Sequence, residues 1–333
     1  MPGGFDKLAG ESFPFARRNL MSRKIIIDTD PGQDDAVAIL LALASPEELD
    51  VLGVVAVAGN VGLAQNAINA RKVVELSGRT DIPVYAGSVR PMRRQLVTAE
   101  HVHGDTGLNG PDLPEPTIPL QAQHGVDFII ETLMNAEPKT ITLCTLGPLT
   151  NIGMALIKEP RIAERIQEIV MMGGAYFEVG NITPAAEFNI YVDPEAADVV
   201  MNCGAPITIQ PLDVTHMIQS TPARLNAIRA LGNRSGQAVY DMLTFSESFD
   251  LKKYGWEGAP LHDPTVIAWL LQPDLFEGRH CNVAIETASE LTIGMTVVDY
   301  WHVTGRAHNA TYLRSGNAEG FYKLLTERLA RLP

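Results

Sequence analysis

The stretch IIIDTDPGQDDAVAILLAL, residues 25 to 43, sets four carboxylates within eight positions, between two apolar runs. Asp28, Asp30, Asp34 and Asp35 would repel one another unless something positive sits among them. Asp34 and Asp35 suit the first turn of a helix, where carboxylates are favoured, but capping accounts for one or two acids and not for four. An EF-hand loop fails on spacing: counted from Asp28, the turn glycine comes one place early at Gly32, and Ile39 stands where the glutamate belongs. A phosphate loop fails as well, because no G-x-x-x-x-G-K-[ST] occurs and a phosphate would not enter a nest of carboxylates. What remains is a hard divalent cation held by oxygen. Calcium accepts about six to eight oxygens in flexible geometry, whereas magnesium demands a stricter octahedron. A strand end that turns through Pro31-Gly32 into a helix start brings Asp30 and Asp35 to one ion and leaves another carboxylate for substrate or water.

Other segments supply polar company. GNITPAAEFNIYV carries Asn181, Glu187 and Asn189 at close spacing, a set suited to gripping hydroxyls, and HVHGDTGLNG is a glycine-rich loop with His101 and His103. APLHDPTVIAWL puts His262 and Asp263 just before an apolar helix, where a plain helix cap is the rival reading. Groups dense enough to hold several hydroxyls around a metal suggest a sugar substrate.

The elements that must position these residues alternate. RKIIID is a short β-branched run, the pattern of a strand buried on both faces, and DDAVAILLALAS follows it as a buried helix ending before Pro46. DVLGVVAVAG, IPVYAG, KTITLCTLG, EIVMMGG and PITIQPLD repeat the strand character. Helical segments lie at LAQNAINARKVVELSG and around 125–135, 149–158 and 194–202. Such alternation predicts an α/β fold, a mostly parallel central sheet flanked by helices. Residues 221–272 read as mainly helical; HCNVAIET, MTVVDYW and NATYLRS precede a final amphipathic helix from about Ala318. Asp28 and Asp30, Gly59 and Asn60, Gly147, Gly173 and Gly174, and Asp213 all fall at carboxyl ends of these strands, where open α/β sheets bind ligands.

The 333 residues, 46% hydrophobic and without repeat or low-complexity linker, read as one domain over 23–333 behind a mobile extension, residues 1–22. A net charge of −13 with no run of Lys or Arg excludes a nucleic-acid groove. No long apolar stretch spans a membrane, and the first residues lack the apolar core of a signal peptide. Cys144, Cys203 and Cys281, odd in number and far apart, read as reduced thiols of a cytoplasmic protein.

The chain resembles the inosine–uridine-preferring nucleoside hydrolases, calcium-dependent ribonucleoside N-glycosidases, from about Lys24 to the C-terminal helix. DTDPGQDDAVAILLAL matches the family signature, and TLGPLTNIGMAL, MGG, GNITPAAEFNIYVDPEAA and PLHDP follow in the family's order and spacing. The resemblance implies hydrolysis of a ribonucleoside to ribose and free base by a homodimer or homotetramer with Ca2+. It makes Asp30, Asp35 and Asp263 side-chain ligands of the ion, with the backbone carbonyl of Leu146 as a further one. It makes Asp34, Asn60, Asn181, Glu187 and Asn189 ribose contacts, with Phe188 beside them, and sets His103 and His262 near the base. AYFEVGN is about one residue longer than in close relatives, and FSESFD (245–250) lacks the tyrosines that relatives often turn to the base.

Breaking an N-glycosidic bond leaves positive charge on the ribose, an oxocarbenium-like transition state that fixed carboxylates stabilise. Asp30 is then the general base for a water positioned by calcium. His262 is the first candidate, and His103 the second, to protonate the leaving base, at an ordinary His pKa near 6.5. Two rivals remain. A haloacid-dehalogenase-like phosphatase would use Asp28 as nucleophile, but Gly32 stands where a Thr or Val belongs. A non-catalytic nucleoside-binding protein would be expected to have lost Asp30 or His262.

Overall fold

The strongest sheet-forming run in the chain occupies the middle of the sheet. In the computed structural model, which describes residues 22–333 and all of their side chains save 248–250 and 252–254, β1 (Arg23–Thr29) lies between two parallel partners. Ile25 and Ile27 turn into the core on one face and Ile26 into that on the other, the period-two alternation of a strand covered on both sides. The expected 1–22 extension falls, but for its last residue, outside the described residues.

After β1 the chain runs through α1 (Gln33–Leu43), β2 (Leu49–Ala56), α2 (Leu63–Leu76), β3 (Val84–Ala86), α3 (Glu100–His103), β4 (Leu120–His124) and α4 (Gly125–Asn135). It returns as β5 (Ile141–Thr145), α5 (Thr150–Lys158), β6 (Ile166–Met172), α6 (Phe188–Val192), α7 (Pro194–Met201), β7 (Ile207–Gln210) and α8 (Leu212–Thr215). A two-residue ribbon of β8 (Gln219–Ser220) and β9 (Ala259–Pro260) encloses α9 (Pro222–Arg229) and α10 (Arg234–Tyr254). Then come α11 (Pro264–Leu271), β10 (Phe276–Ile285), β11 (Thr296–Asp299), β12 (Ala310–Gly316) and α12 (Ala318–Leu329).

The ten-stranded sheet has the order β11-β10-β12-β7-β6-β5-β1-β2-β3-β4, and only the β10 pairings are antiparallel. The mostly parallel α/β expectation therefore holds. Successive strands leave β1 toward β4 in one direction, and β5 to β7 leave it in the other. The reversal makes a crevice outside the carboxyl ends of β1 and β5, the place where ligands bind in open α/β sheets. Asp30 follows β1 and Leu146 follows β5.

β4 was not expected. It pairs with β3 alone at the sheet edge, and LQAQH is alternately exposed, so it lacks the apolar run of a covered strand. Helix α1 packs on α2, α10, α11 and α12, and Ala36 to Ala42 are wholly buried within it. Replacing the fully buried Ile39 by Ala should lower unfolding free energy by about 2–5 kcal/mol. Urea denaturation checks this, and a loss below about 1 kcal/mol would mean that α1 is not the packed centre described.

Candidate active site

Asp30 is clamped before it can do anything. Its Oδ2 accepts the backbone N–H of Asn60 at 2.7 Å, and the Asn60 amide donates to its carbonyl at 3.0 Å. Glycines close in from the neighbouring strand ends: a Cβ at Gly59 would stand 2.1 Å from Oδ2, and one at Gly147 2.1 Å from Oδ1. Any side chain there would displace the carboxylate.

Asp35, in the first turn of α1, accepts the Gly32 N–H at 3.0 Å, the Asp30 N–H at 3.2 Å and the Thr29 hydroxyl. Asp263 precedes α11 but makes no side-chain cap hydrogen bond; it turns to the acids instead. One oxygen each from Asp34, Asp35 and Asp263 lies within 4.8 Å of the others. The signature acids and the PLHDP aspartate, more than two hundred positions apart, thus meet as the resemblance implies, but with Asp34 rather than Asp30 in the tightest group.

Burial first, and then the neighbouring carboxylates, push Asp30 and Asp263 well above the usual carboxylate range; burial and Asp34 raise Asp35. Acids so placed need a shared proton or a cation. Every donor in the cluster is a hard carboxylate oxygen, and Leu146, whose carbonyl follows β5, lines the same cavity. The residues present fit a metal ion.

Asp28 stands apart. It is 1% exposed, does not line the cavity, and takes the Asn151 amide on Oδ2 at 2.7 Å, while its buried Oδ1 has no hydrogen-bond partner. Burial pushes it up to about 8. A phosphatase nucleophile could not work from there.

The opposite wall is the 174–190 segment. Glu187 caps α6, accepting from the N–H groups of Asn189 at 2.9 Å and Ile190 at 3.3 Å, and also takes the Gly174 N–H at 3.0 Å; burial lifts it to about 7. Asn189 donates to the Leu146 carbonyl at 2.6 Å, and Asn181 accepts the Phe188 N–H at 2.9 Å. These side chains build the wall as well as line it. Asn60, Phe188, His101 and His103 also line the cavity, so every residue to which the resemblance gives a site role comes to one place, whereas Asp28 and Asp213 do not line it.

The two histidines differ. Gln33 donates its amide N–H groups to the carbonyls of His103 and Asn109, so its Oε1, 2.6 Å from His103 Nδ1, accepts a hydrogen bond from that ring. Neutral His103 therefore has Nε2 as an acceptor. Burial lowers its pKa. His262 Nδ1 lies 2.7 Å from the Thr215 hydroxyl. Burial, with His216 and His103 nearby, brings His262 down to about 3, so the ordinary value near 6.5 does not apply and the ring is neutral at pH 7.

Gln33, Thr215 and His216 escaped the sequence reading, as did Leu243, which lines the cavity from α10 beside Ser246 of the FSESFD segment. A signal existed for two of them: LDVTH directly follows a strand end.

The inosine-uridine preferring nucleoside hydrolase family model matches residues 25–323. The chain belongs to that family. It hydrolyses the N-glycosidic bond of ribonucleosides. The hydrolase is 49% identical over 312 residues to the pyrimidine-specific ribonucleoside hydrolase RihA of Photobacterium profundum, covering 93% of this chain and 99% of that one. It is 54% identical to an uncharacterised Schizosaccharomyces pombe protein, C1683.06c, over 93% and 100% of the two chains. Among solved structures it is similar to the plant nucleoside hydrolase PpNRh1, with a TM-score of 0.86 at 33% identity over 93% and 99% of the chains. A purine-preferring ribonucleoside hydrolase from Gardnerella vaginalis gives 0.85 at 30% identity over 92% and 98%.

Two outcomes follow for the enzyme. Gly147→Ala and Gly59→Ala should each cut turnover about 10²-fold or more while circular dichroism stays native, because they displace Asp30. Normal turnover would show that the clamp is unnecessary. In chelator the fold should lose stability as pH rises. Carboxyls with raised folded pKa stabilise fully below their unfolded value of 3.8 or 4.5 and lose that contribution through about 7 for Glu187 and about 8 for Asp28. The melting temperature should therefore fall between pH 5 and pH 8 (approximate bounds from these shifts), and an added divalent cation should flatten the fall; a flat curve in chelator would contradict it.

Proposed function

We propose that the enzyme is a calcium-dependent hydrolase of pyrimidine ribonucleosides. The observation that carries the metal reading is the meeting of Asp34, Asp35 and Asp263 within 4.8 Å beside the clamped Asp30. An all-oxygen set gathered from distant loops suits the flexible shell of calcium better than the octahedron of magnesium. Asp30, Asp35, Asp263 and the Leu146 carbonyl would hold the ion, with Asp34 beside them. When bound, it offsets the carboxylate charge and acts as a Lewis acid toward water. The pyrimidine preference is supported by the RihA relatives near half identity, against lower identity to the purine-preferring Gardnerella enzyme.

Asp34, Asn60, Asn181, Glu187 and Asn189 grip the ribose, with Phe188 against it. As the C1′–N bond breaks, its electron pair leaves with the base. Carboxylates fixed around the sugar stabilise the positive charge that develops there. Asp30 accepts a proton from the attacking water, whose oxygen bonds to C1′. His262, neutral, lends an Nε2–H hydrogen bond to the departing base, which then takes its proton from solvent. His103, fixed by Gln33 with its proton on Nδ1, accepts rather than donates at Nε2.

Residues 23–333 are the nucleoside hydrolase domain in this reading. It acts as a homodimer or homotetramer in the cytoplasm, consistent with three free cysteines and with no helix long and apolar enough to cross a membrane among the described residues.

A chromatographic panel of nucleosides tests the proposal. Uridine and cytidine should be cleaved faster than inosine, and 2′-deoxyribosides far more slowly; equal rates on ribosides and deoxyribosides would sink the diol grip. Asp30→Asn should lower turnover at least about 10³-fold with the fold intact. Excess calcium should partly rescue Asp35→Asn but not Asp30→Asn. Near-normal turnover by Asp30→Asn, or activity of the wild type after complete calcium removal, would overturn the assignment.

A further inference from the structure

The contact between Thr215 and His262 joins two segments 47 residues apart. The short ribbon makes it possible. Gln219 pairs with Pro260 and Ser220 with Ala259, and the Leu261 N–H donates to the Ile218 carbonyl at 2.9 Å. That clamp holds the residue before His262 against the third residue after Thr215. The other end is fixed in α8, where the Thr215 N–H donates to the Pro211 carbonyl at 3.1 Å and the Thr215 carbonyl accepts from Ile218 at 3.0 Å. Thr215 has no exposed surface, so it touches no substrate, whereas His262 lines the cavity.

A neutral imidazole carries one N–H, and which nitrogen bears it is set by the partner of the other. With the proton on Nδ1, Nε2 offers only a lone pair and repels the electrons gathering on a departing base. A threonine hydroxyl can donate or accept, and a donated hydrogen bond to Nδ1 favours the useful form. His103 shows the contrasting case, since Gln33 Oε1 can only accept.

We propose that Thr215 is a positioning residue of the reaction: its hydroxyl donates to His262 Nδ1 and so holds the proton on Nε2, toward the leaving base. The proposal rests on the reading of His262 as the donor to that base. It adds what decides whether His262 can donate.

The experiment compares Thr215→Val, Thr215→Ser, His262→Ala and the Val/Ala double variant on two substrates. One is the best nucleoside of the panel; the other is p-nitrophenyl riboside, whose leaving group needs no hydrogen bond. Thr215→Val should lower kcat on the nucleoside about 10- to 100-fold, and on p-nitrophenyl riboside by less than about threefold. Thr215→Ser should stay near wild type, and the double variant should be no worse than His262→Ala. Equal losses on both substrates, or a full additional loss in the double variant, would overturn the role of Thr215. An intact His262→Ala would instead sink the donor reading itself, whereas impaired His262→Ala beside intact Thr215→Val would sink Thr215 alone. Should Thr215→Val fail to fold, the ¹⁵N shifts of histidine-labelled wild-type enzyme decide. With the His262 signal assigned by its absence from His262→Ala, an unprotonated Nδ1 supports the proposal and a protonated Nδ1 overturns it.

Discussion

Buried carboxylates that cannot all be ionised without a positive partner are the constraint on which the rest of this structure depends. Asp30, Asp35 and Asp263 are each at most 3% exposed, and burial raises all three. An isolated charge in such a place would neutralise itself by taking a proton. A site that must work ionised at neutral pH therefore has to supply a cation, and the surrounding hydrogen bonds supply part of the offset meanwhile. The N–H groups of Gly32, Asp30 and Asn60 all point to carboxylate oxygens. The same arrangement serves the chemistry, because a cage built to welcome positive charge also welcomes the charge that forms on ribose.

The sheet provides the rigidity that such a cage needs. β1 is paired on both sides and packed on both faces, and its neighbours on the two sides carry the glycines that meet Asp30. Shifting β1 by one residue would exchange its core-facing set for the other and move the acids off the crevice. Close packing of three isoleucines thus fixes the register on which the position of a carboxylate depends. The switch in strand order beside β1 then opens the space that the ligand occupies.

The far wall is held by economy of a different kind. Asp213 accepts the N–H groups of Tyr176, Phe177 and Glu178 and the hydroxyl of Tyr312, tying the 174–190 segment to the core. Two residues later Thr215 meets His262, and His216 follows it within 3.3 Å of Glu178. One turn after β7 thus organises the wall around His262, while the turn after β1 organises the acid cluster. Function is divided between two strand ends, each a short polar turn leaving a buried strand.

Local pattern was enough for β1, α1 and the central parallel strands, since an apolar run bounded by turn residues is written in consecutive positions. The acid cluster was legible for the same reason, four carboxylates in eight positions being an electrostatic statement by themselves. Asn189 was legible as one of a closely spaced hydroxyl-gripping set, but for His262 and Asp263 only the resemblance weighed a site role against a helix cap, because nothing local distinguishes a cap from a ligand. Edge strand β4 carried too little apolar pattern to register, and α6, though apolar, is only five residues long, too short to show a helical period. The tertiary structure alone decided that Asp28 lies sealed behind the site with Asn151, that Asp34 joins Asp35 and Asp263, and that Gln33 and Thr215 give the two histidines different partners. Each of these depends on which groups share a buried volume. Burial and proximity are properties of the folded chain, and they set both the pKa of a carboxylate and the proton of an imidazole.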